Sequence, residues 1–175
     1  MAPSRPHLTL VLGGARSGKS AFAACLALES GLLPVLVATA EAADAEMAAR
    51  IERHRRERDA RWTTVEAPHD LPDALADWAS PDRFVIVDCL TLWLTNVLTQ
   101  GRDPQVARDR LLAALAARRG PVALVSNEVG LGIVPLGELS RRFVDEAGFL
   151  HQAVAALADR VVLMIAGRPL EVGPA

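Results

Sequence analysis

Five short apolar runs punctuate the chain: His7–Leu12, Pro34–Thr39, Arg83–Cys89, Val122–Ser126 and Arg160–Ala166. They are apolar throughout rather than alternating with polar residues, the pattern of strands buried on both faces of a parallel sheet. The stretches between them read mostly as helices. Lys19–Glu29 is rich in Ala and Leu and stops at Ser30-Gly31, and Leu71–Trp78 and Thr91–Leu98 are short helical segments. Pro104–Arg119 is amphipathic and ends at Gly120-Pro121, and Glu138–Asp159 is long, with Gly148 inside it. Asp44–Arg61 contains neither Pro nor Gly and predicts a strongly charged helix, followed by a short strand at Trp62–Glu66. The tail Gly167–Ala175 has room for one further edge strand, antiparallel to the last, with Pro169 and Pro174 restricting its pairing. Strands alternating with helices imply a mostly parallel sheet covered on both faces. With no internal repeat and no dividing linker, residues 1–175 read as a single α/β domain.

Composition narrows the function. At 51% hydrophobic and 23% charged, the 175 residues describe a globular protein, not a disordered one. A net charge of −2 excludes a generally cationic nucleic-acid coat. Cys25 and Cys89 lie far apart with no CxxC pair, which argues against a disulfide framework or a structural zinc. No run approaches the roughly 18 apolar residues of a membrane span, and Met1–Pro6 leads into a strand without the long apolar region of a secretory signal. A soluble protein of the reducing cytoplasm, with no membrane partner, is expected. Of 19 basic residues all but one are arginine, and the single lysine is Lys19.

The setting of that lysine is informative. Gly13-Gly14-Ala15-Arg16-Ser17-Gly18-Lys19-Ser20 fits G-x-x-x-x-G-K-[ST] and stands between a predicted strand and a predicted helix. Glycines admit positive φ, so consecutive N–H groups turn inward around an anion, and the helix start adds its partial positive charge. Lys19 brings a compact cation to the β- and γ-phosphates of a nucleotide, and Ser20 a hydroxyl for Mg²⁺. Asp88 ends the apolar strand at Phe84–Val87, where strand carboxyl ends line a ligand crevice. It is the expected partner of Ser20 in holding Mg²⁺, the alternative being a cap for the helix that follows. Asn127 and Glu128 follow the fourth apolar run to the same edge. Glu128 is a candidate to accept a substrate proton, or else a turn cap.

A second basic element, Arg50–Arg61, carries six arginines against three acids around His54. It reads as a solvated helix laced with ion pairs, as a nucleic-acid patch lacking stacking aromatics except Trp62, or as a second phosphate-handling element. In the last case the neighbouring cations keep the imidazole neutral and nucleophilic, able to form a phosphoramidate.

Taken together, GGARSGKS at Gly13–Ser20, the string A-R-I-x-x-H-R-x-x-R-x-x-x-W-x-T-x-E from Ala49 to Glu66, LVSNEVGLGIVP at Leu124–Pro135 and the Arg141–Ala158 helix resemble a known family. It is the bifunctional adenosylcobinamide kinase/adenosylcobinamide-phosphate guanylyltransferase of cobalamin biosynthesis, and the likeness runs from Leu10 to about Ala166. The fold expected is P-loop NTPase-like, in a RecA-like arrangement. The resemblance implies phosphorylation of adenosylcobinamide by ATP or GTP, then transfer of GMP from GTP, giving adenosylcobinamide-GDP and pyrophosphate through a GMP-histidine at His54. It also implies nucleotide contacts at Gly13, Gly14, Ala15, Arg16, Ser17, Gly18, Lys19, Ser20, Ala38, Thr39, Ala40, Arg55, Arg56, Glu57, Arg58, Glu66 and Asp88. A homotrimer acting on small molecules and not on nucleic acid is implied as well.

Two departures from the family pattern are Asp59, where many members have Pro, and the extra Met1–Pro6. Two competing expectations are a P-loop small-molecule kinase with a structural His54 and a nucleic-acid-binding P-loop ATPase. His7, His69 and His151 have no comparable setting, and His151 reads as a packing or surface residue of its helix. Trp62, Trp78 and Trp93 read as core or interface residues, with Trp62 also placed to flank a base. Arg141 and Arg142 read as surface charges or as contacts to substrate phosphate or a neighbouring subunit.

Overall fold

The computed structural model describes residues 7–41 and 60–173. Their strands are β1 (Leu8–Gly13), β2 (Leu33–Ala38), β3 (Thr63–Glu66), β4 (Arg83–Asp88), β5 (Val122–Asn127), β6 (Arg160–Ile165) and β7 (Arg168–Val172). Their helices are α1 (Lys19–Glu29), α2 (Leu71–Trp78), α3 (Leu90–Thr99), α4 (Pro104–Ala117) and α5 (Glu138–Leu157). One sheet holds all seven strands in the order β3-β2-β4-β5-β1-β6-β7. Every pairing is parallel except β6 with β7. The predicted antiparallel edge strand is therefore present, joined to β6 by a tight turn with Ala166 and Gly167 both at positive φ (49° and 79°). Of the predicted helix at Asp44–Arg61, residues 44–59 lie outside the described residues, and Ala60 and Arg61 form a turn.

The unbroken apolar runs bury both faces, as expected for central parallel strands. On one face Leu8, Leu10, Val35, Val37, Val85, Val87, Val122 and Leu124 join Trp93, Leu111, Leu115, Leu150 and Val154 from α3, α4 and α5. On the other, Leu36, Phe84, Ile86, Ala123 and Val125 meet Ala23 and Ala27 of α1. Those two alanines, fully buried, present no bulk between helix backbone and sheet. Asp103 starts α4, its carboxylate accepting hydrogen bonds from the N–H groups of Gln105 and Val106, with Pro104 at the first helical position.

Two helices end sooner than periodicity suggests, because tertiary partners claim their last residues. Arg118 leaves α4 and is buried, donating to the Leu115 carbonyl (2.7 Å) and to the Asp159 carboxylate (3.2 Å). Asp159 leaves α5 and accepts the N–H of Leu8 at 2.7 Å, so one carboxylate joins the starts of β1 and β6. At this amino edge of the sheet Gly120 also lies against backbone, where an added Cβ would stand 2.0 Å from the Ser80 carbonyl oxygen.

Candidate active site

Parallel order places the carboxyl ends of β1, β2, β4 and β5 along one edge, where the loops to following helices form a crevice. β5 stands between β1 and β4, so the loop after β1 and the carboxylate ending β4 approach from either side of Asn127 and Glu128. The phosphate-loop residues adopt the conformation their composition predicts. Gly13 and Gly18 have φ of 151° and 98°, and Arg16 reaches 56°. A Cβ at Gly13 would come within 2.6 Å of both the Met164 carbonyl oxygen and Ser17 Oγ. Behind the loop, the β6–β7 turn donates the Gly167 N–H to the Ser17 carbonyl (2.9 Å), and a Cβ at Gly18 would lie 3.2 Å from Gly167 Cα. The loop is thus held against a hairpin.

Inside the cradle, Gly14, Ala15 and Arg16 are exposed, whereas Ser17 and Lys19 are buried. Lys19 Nζ donates to the Gly14 carbonyl at 2.6 Å. Burial pulls its pKa below the usual lysine value, while Cys89 and Asp88 oppose that shift, which places Lys19 within the field of the β4 carboxylate. Ser17 Oγ is buried and has no hydrogen-bond partner among the described residues. A buried hydroxyl without a partner is costly unless a ligand completes it. Together with the loop geometry it fits a polyphosphate.

Asp88 does not cap the next helix. The N-cap of α3 is Cys89, and no side chain there bonds the free N–H groups. The carboxylate of half-buried Asp88 therefore remains available on the edge, with exposed Ser20 in the first turn of α1. A hydroxyl and a carboxylate of hard oxygen are a donor pair that fits Mg²⁺. No cluster of three metal-ligating His, Cys, Asp or Glu side chains occurs among the described residues, so such an ion would draw its other ligands from phosphate and water.

Other residues of the predicted set differ in what they offer. Thr39 is fully buried and ties β2 to β4: its hydroxyl donates to the Cys89 carbonyl (2.7 Å) and accepts the Cys89 N–H (2.8 Å). Its carbonyl accepts from Asn96, which also reaches the Pro68 carbonyl. Thr39 thus braces the edge, between half-buried Ala38 and Ala40. Glu66 is exposed at the end of β3 and lines a cleft of about 260 Å³ with Asp70, Asp73, Asp77 and Trp78. His54, Arg55, Arg56, Glu57 and Arg58 lie outside the described residues.

Several placements carried little sequence signal. Cys89 is buried, its Sγ 3.0 Å from Thr91 Oγ1, and burial pushes the thiol pKa up, so it stays protonated. His151 is buried as well, with Nε2 2.7 Å from Ser126 Oγ and Nδ1 3.9 Å from the Glu128 carboxylate. Glu128 also braces its own turn, accepting the Gly130 N–H, while its backbone N–H donates to the Gly13 carbonyl (3.0 Å). Trp93 is core, Trp62 packs against the cluster that includes Leu36, Phe84 and Ile86, and Trp78 lies under the Arg83 guanidinium. Arg141 donates to the Pro135 and Leu136 carbonyls and so steadies the loop before α5.

Among solved structures, a RadB recombinase covers 90% of this chain and is itself 73% covered, with a TM-score of 0.51 at 15% identity, which supports the RecA-like fold alone. The family described as cobinamide kinase / cobinamide phosphate guanyltransferase matches residues 9–172. The bifunctional adenosylcobalamin biosynthesis protein CobP of Pseudomonas aeruginosa is 54% identical over 92% of this chain and 94% of its own length. The bifunctional adenosylcobalamin biosynthesis protein CobU of Escherichia coli is 39% identical over 91% of this chain and 96% of its own.

Proposed function

The chain belongs to the cobinamide kinase / cobinamide phosphate guanyltransferase family, and on that premise we propose how its residues divide the two reactions. The observation that carries the reading is the cradle of Gly13–Ser20, with the chain's one lysine buried inside it and a buried hydroxyl awaiting a partner.

In the kinase step, Gly13–Ser20 grips the triphosphate of ATP or GTP through backbone N–H groups and Lys19, leaving the γ-phosphoryl group toward the hydroxyl of adenosylcobinamide. Glu128, beside Gly13, accepts the hydroxyl proton as its oxygen attacks γ-phosphorus and the bond to the β-phosphate breaks. Ser20 and Asp88 would hold Mg²⁺, which supplies charge neutralisation on the phosphates.

In the transfer step, a neutral imidazole nitrogen of His54 attacks the α-phosphorus of GTP. The bond to the β-phosphate breaks, and pyrophosphate leaves in the same cradle. A phosphate oxygen of adenosylcobinamide phosphate then displaces the histidine, giving adenosylcobinamide-GDP and restoring the free imidazole. The basis for His54 is its place in the string Ala49–Glu66, among arginines suited to anionic oxygens. Arg55, Arg56, Glu57, Arg58, Ala38, Thr39, Ala40 and Glu66 complete the nucleotide contacts in this reading, Thr39 through the segment it braces. A homotrimer belongs to it too, supported by the exposed apolar side chains of Leu131, Ile133, Val134 and Leu136, a patch that favours a cover.

Incubation with α-labelled GTP and Mg²⁺ tests the assignment. An acid-labile, alkali-stable label on the wild-type chain, absent from His54→Ala while that variant still phosphorylates adenosylcobinamide, is the expected result. Labelling that persists in His54→Ala would place the nucleophile elsewhere, and no labelling at all would remove the covalent route.

A further inference from the structure

We propose that His151 is a positioning residue for the kinase step, holding Glu128 against the phosphate loop. The inference rests on the reading of Glu128 as the base for the substrate hydroxyl. Its own footing is a juxtaposition of two elements distant in sequence. Ser126, in β5, and Glu128, just beyond its end, are two residues apart and both turn toward the same layer, where each meets the His151 ring. That layer contains α5, whose buried residues Ala147, Leu150, His151 and Val154 recur at helical spacing. Three of those four are the apolar residues that such a face selects. The fourth is an imidazole, buried where it loses hydration.

Its two nitrogens meet different groups. Nε2 lies 2.7 Å from Ser126 Oγ, itself completely buried, and Nδ1 lies 3.9 Å from Oε2 of Glu128. The first is a hydrogen bond, and the second is electrostatic at this distance. A carboxylate facing Nδ1 favours the tautomer with the proton there, so Ser126 donates to Nε2. Burial lowers the His151 pKa, with Glu128 opposing, which keeps the ring neutral at pH 7. The other Glu128 oxygen accepts the Gly130 N–H, so the carboxylate is fixed from both sides while its backbone is bonded to Gly13. A hydrocarbon at position 151 would fill the space but leave Ser126 Oγ and one carboxylate oxygen without direction.

The two activities separate this role from simple packing, because attack by His54 on α-phosphorus needs no base at the substrate hydroxyl. In His151→Leu the kinase kcat is expected to fall about tenfold, a fraction of what a positioned base is worth. The KM for nucleotide, the Kd for a non-hydrolysable GTP analogue and GMP labelling of the chain should stay near wild type. His151→Asn, which keeps a polar partner for Ser126 and Glu128, should recover most of the loss, and Glu128→Gln should lose about a hundredfold in kinase kcat. Parallel loss of kinase rate, analogue binding and melting temperature in both His151 variants would make the residue structural and overturn the inference. An unchanged kinase kcat in His151→Leu beside an inactive Glu128→Gln would overturn it too, leaving the base assignment standing. Full kinase activity in Glu128→Gln would remove the base assignment and this inference with it.

Discussion

The two edges of the sheet are built from the same strands and solve opposite problems. At the amino edge the main polar groups close on one another. Asp159 accepts from Leu8 and Arg118, Arg118 reaches the end of α4, and Gly120 lets two backbones meet where no side chain would fit. At the carboxyl edge the chain leaves chemistry open. Gly13, Arg16 and Gly18 hold positive φ, Ser17 Oγ is buried without a partner among the described residues, Lys19 is buried against its hydration, and Asp88 declines the cap it could make. The lesson is that stability and function are segregated along the strand direction. Unfavourable local choices are gathered at the edge where we propose that the polyphosphate binds, and are underwritten by closed interactions at the other end.

Mutations should reveal that segregation. The largest effect is expected for Lys19→Ala, which removes the cation facing the triphosphate. Both activities should fall by about a thousandfold, about 4 kcal/mol of transition-state stabilisation, with the melting temperature little changed. Steady-state assays of the two half-reactions at saturating nucleotide check this, and a retained kinase rate would argue against a shared cradle. Next is Gly120→Ala at the opposite edge, where the new methyl meets the Ser80 carbonyl and must move backbone. A loss of about 3 kcal/mol of stability is expected in urea denaturation, with kcat per folded molecule unchanged. Ser17→Ala should give the smallest effects and opposite signs: a gain of about 1 kcal/mol in stability, because an unsatisfied buried hydroxyl is gone, and nucleotide binding about fivefold weaker. A variant both less stable and equally good at binding would show that the hydroxyl has a structural partner and would blur the contrast.

Much of this site was legible before any coordinates. The pattern Gly13–Ser20 sits after a strand and opens a helix as predicted, because its glycines and lysine act through local backbone geometry that few other sequences satisfy. The helices Lys19–Glu29 and Leu71–Trp78 have the predicted bounds, each fixed by signals within a few residues of its ends. Asp88 and Glu128 were placeable at one edge because parallel strands all deliver their carboxyl ends to the same side. For Asp88 the sequence favours a metal role over a helix cap, and in the fold the cap position falls to Cys89 instead.

Sequence alone therefore determined most of the described strands and helices, the parallel sheet with its antiparallel edge, and the glycine-rich turn between β1 and α1. These rest on spacing along the chain, where cause and effect lie within a turn or a strand, whereas the family was read from the resemblance of whole motifs. Only tertiary structure decided that Thr39 braces β4, that Asp159 and Arg118 leave their helices to close the amino edge, and that His151 meets Ser126 and Glu128. Those are contacts between residues 25 to 151 positions apart in three of the bonds, and no local period encodes them. A polar side chain on a buried face does not announce its partner. The partner is chosen by which strand end and which helix face the completed sheet brings together.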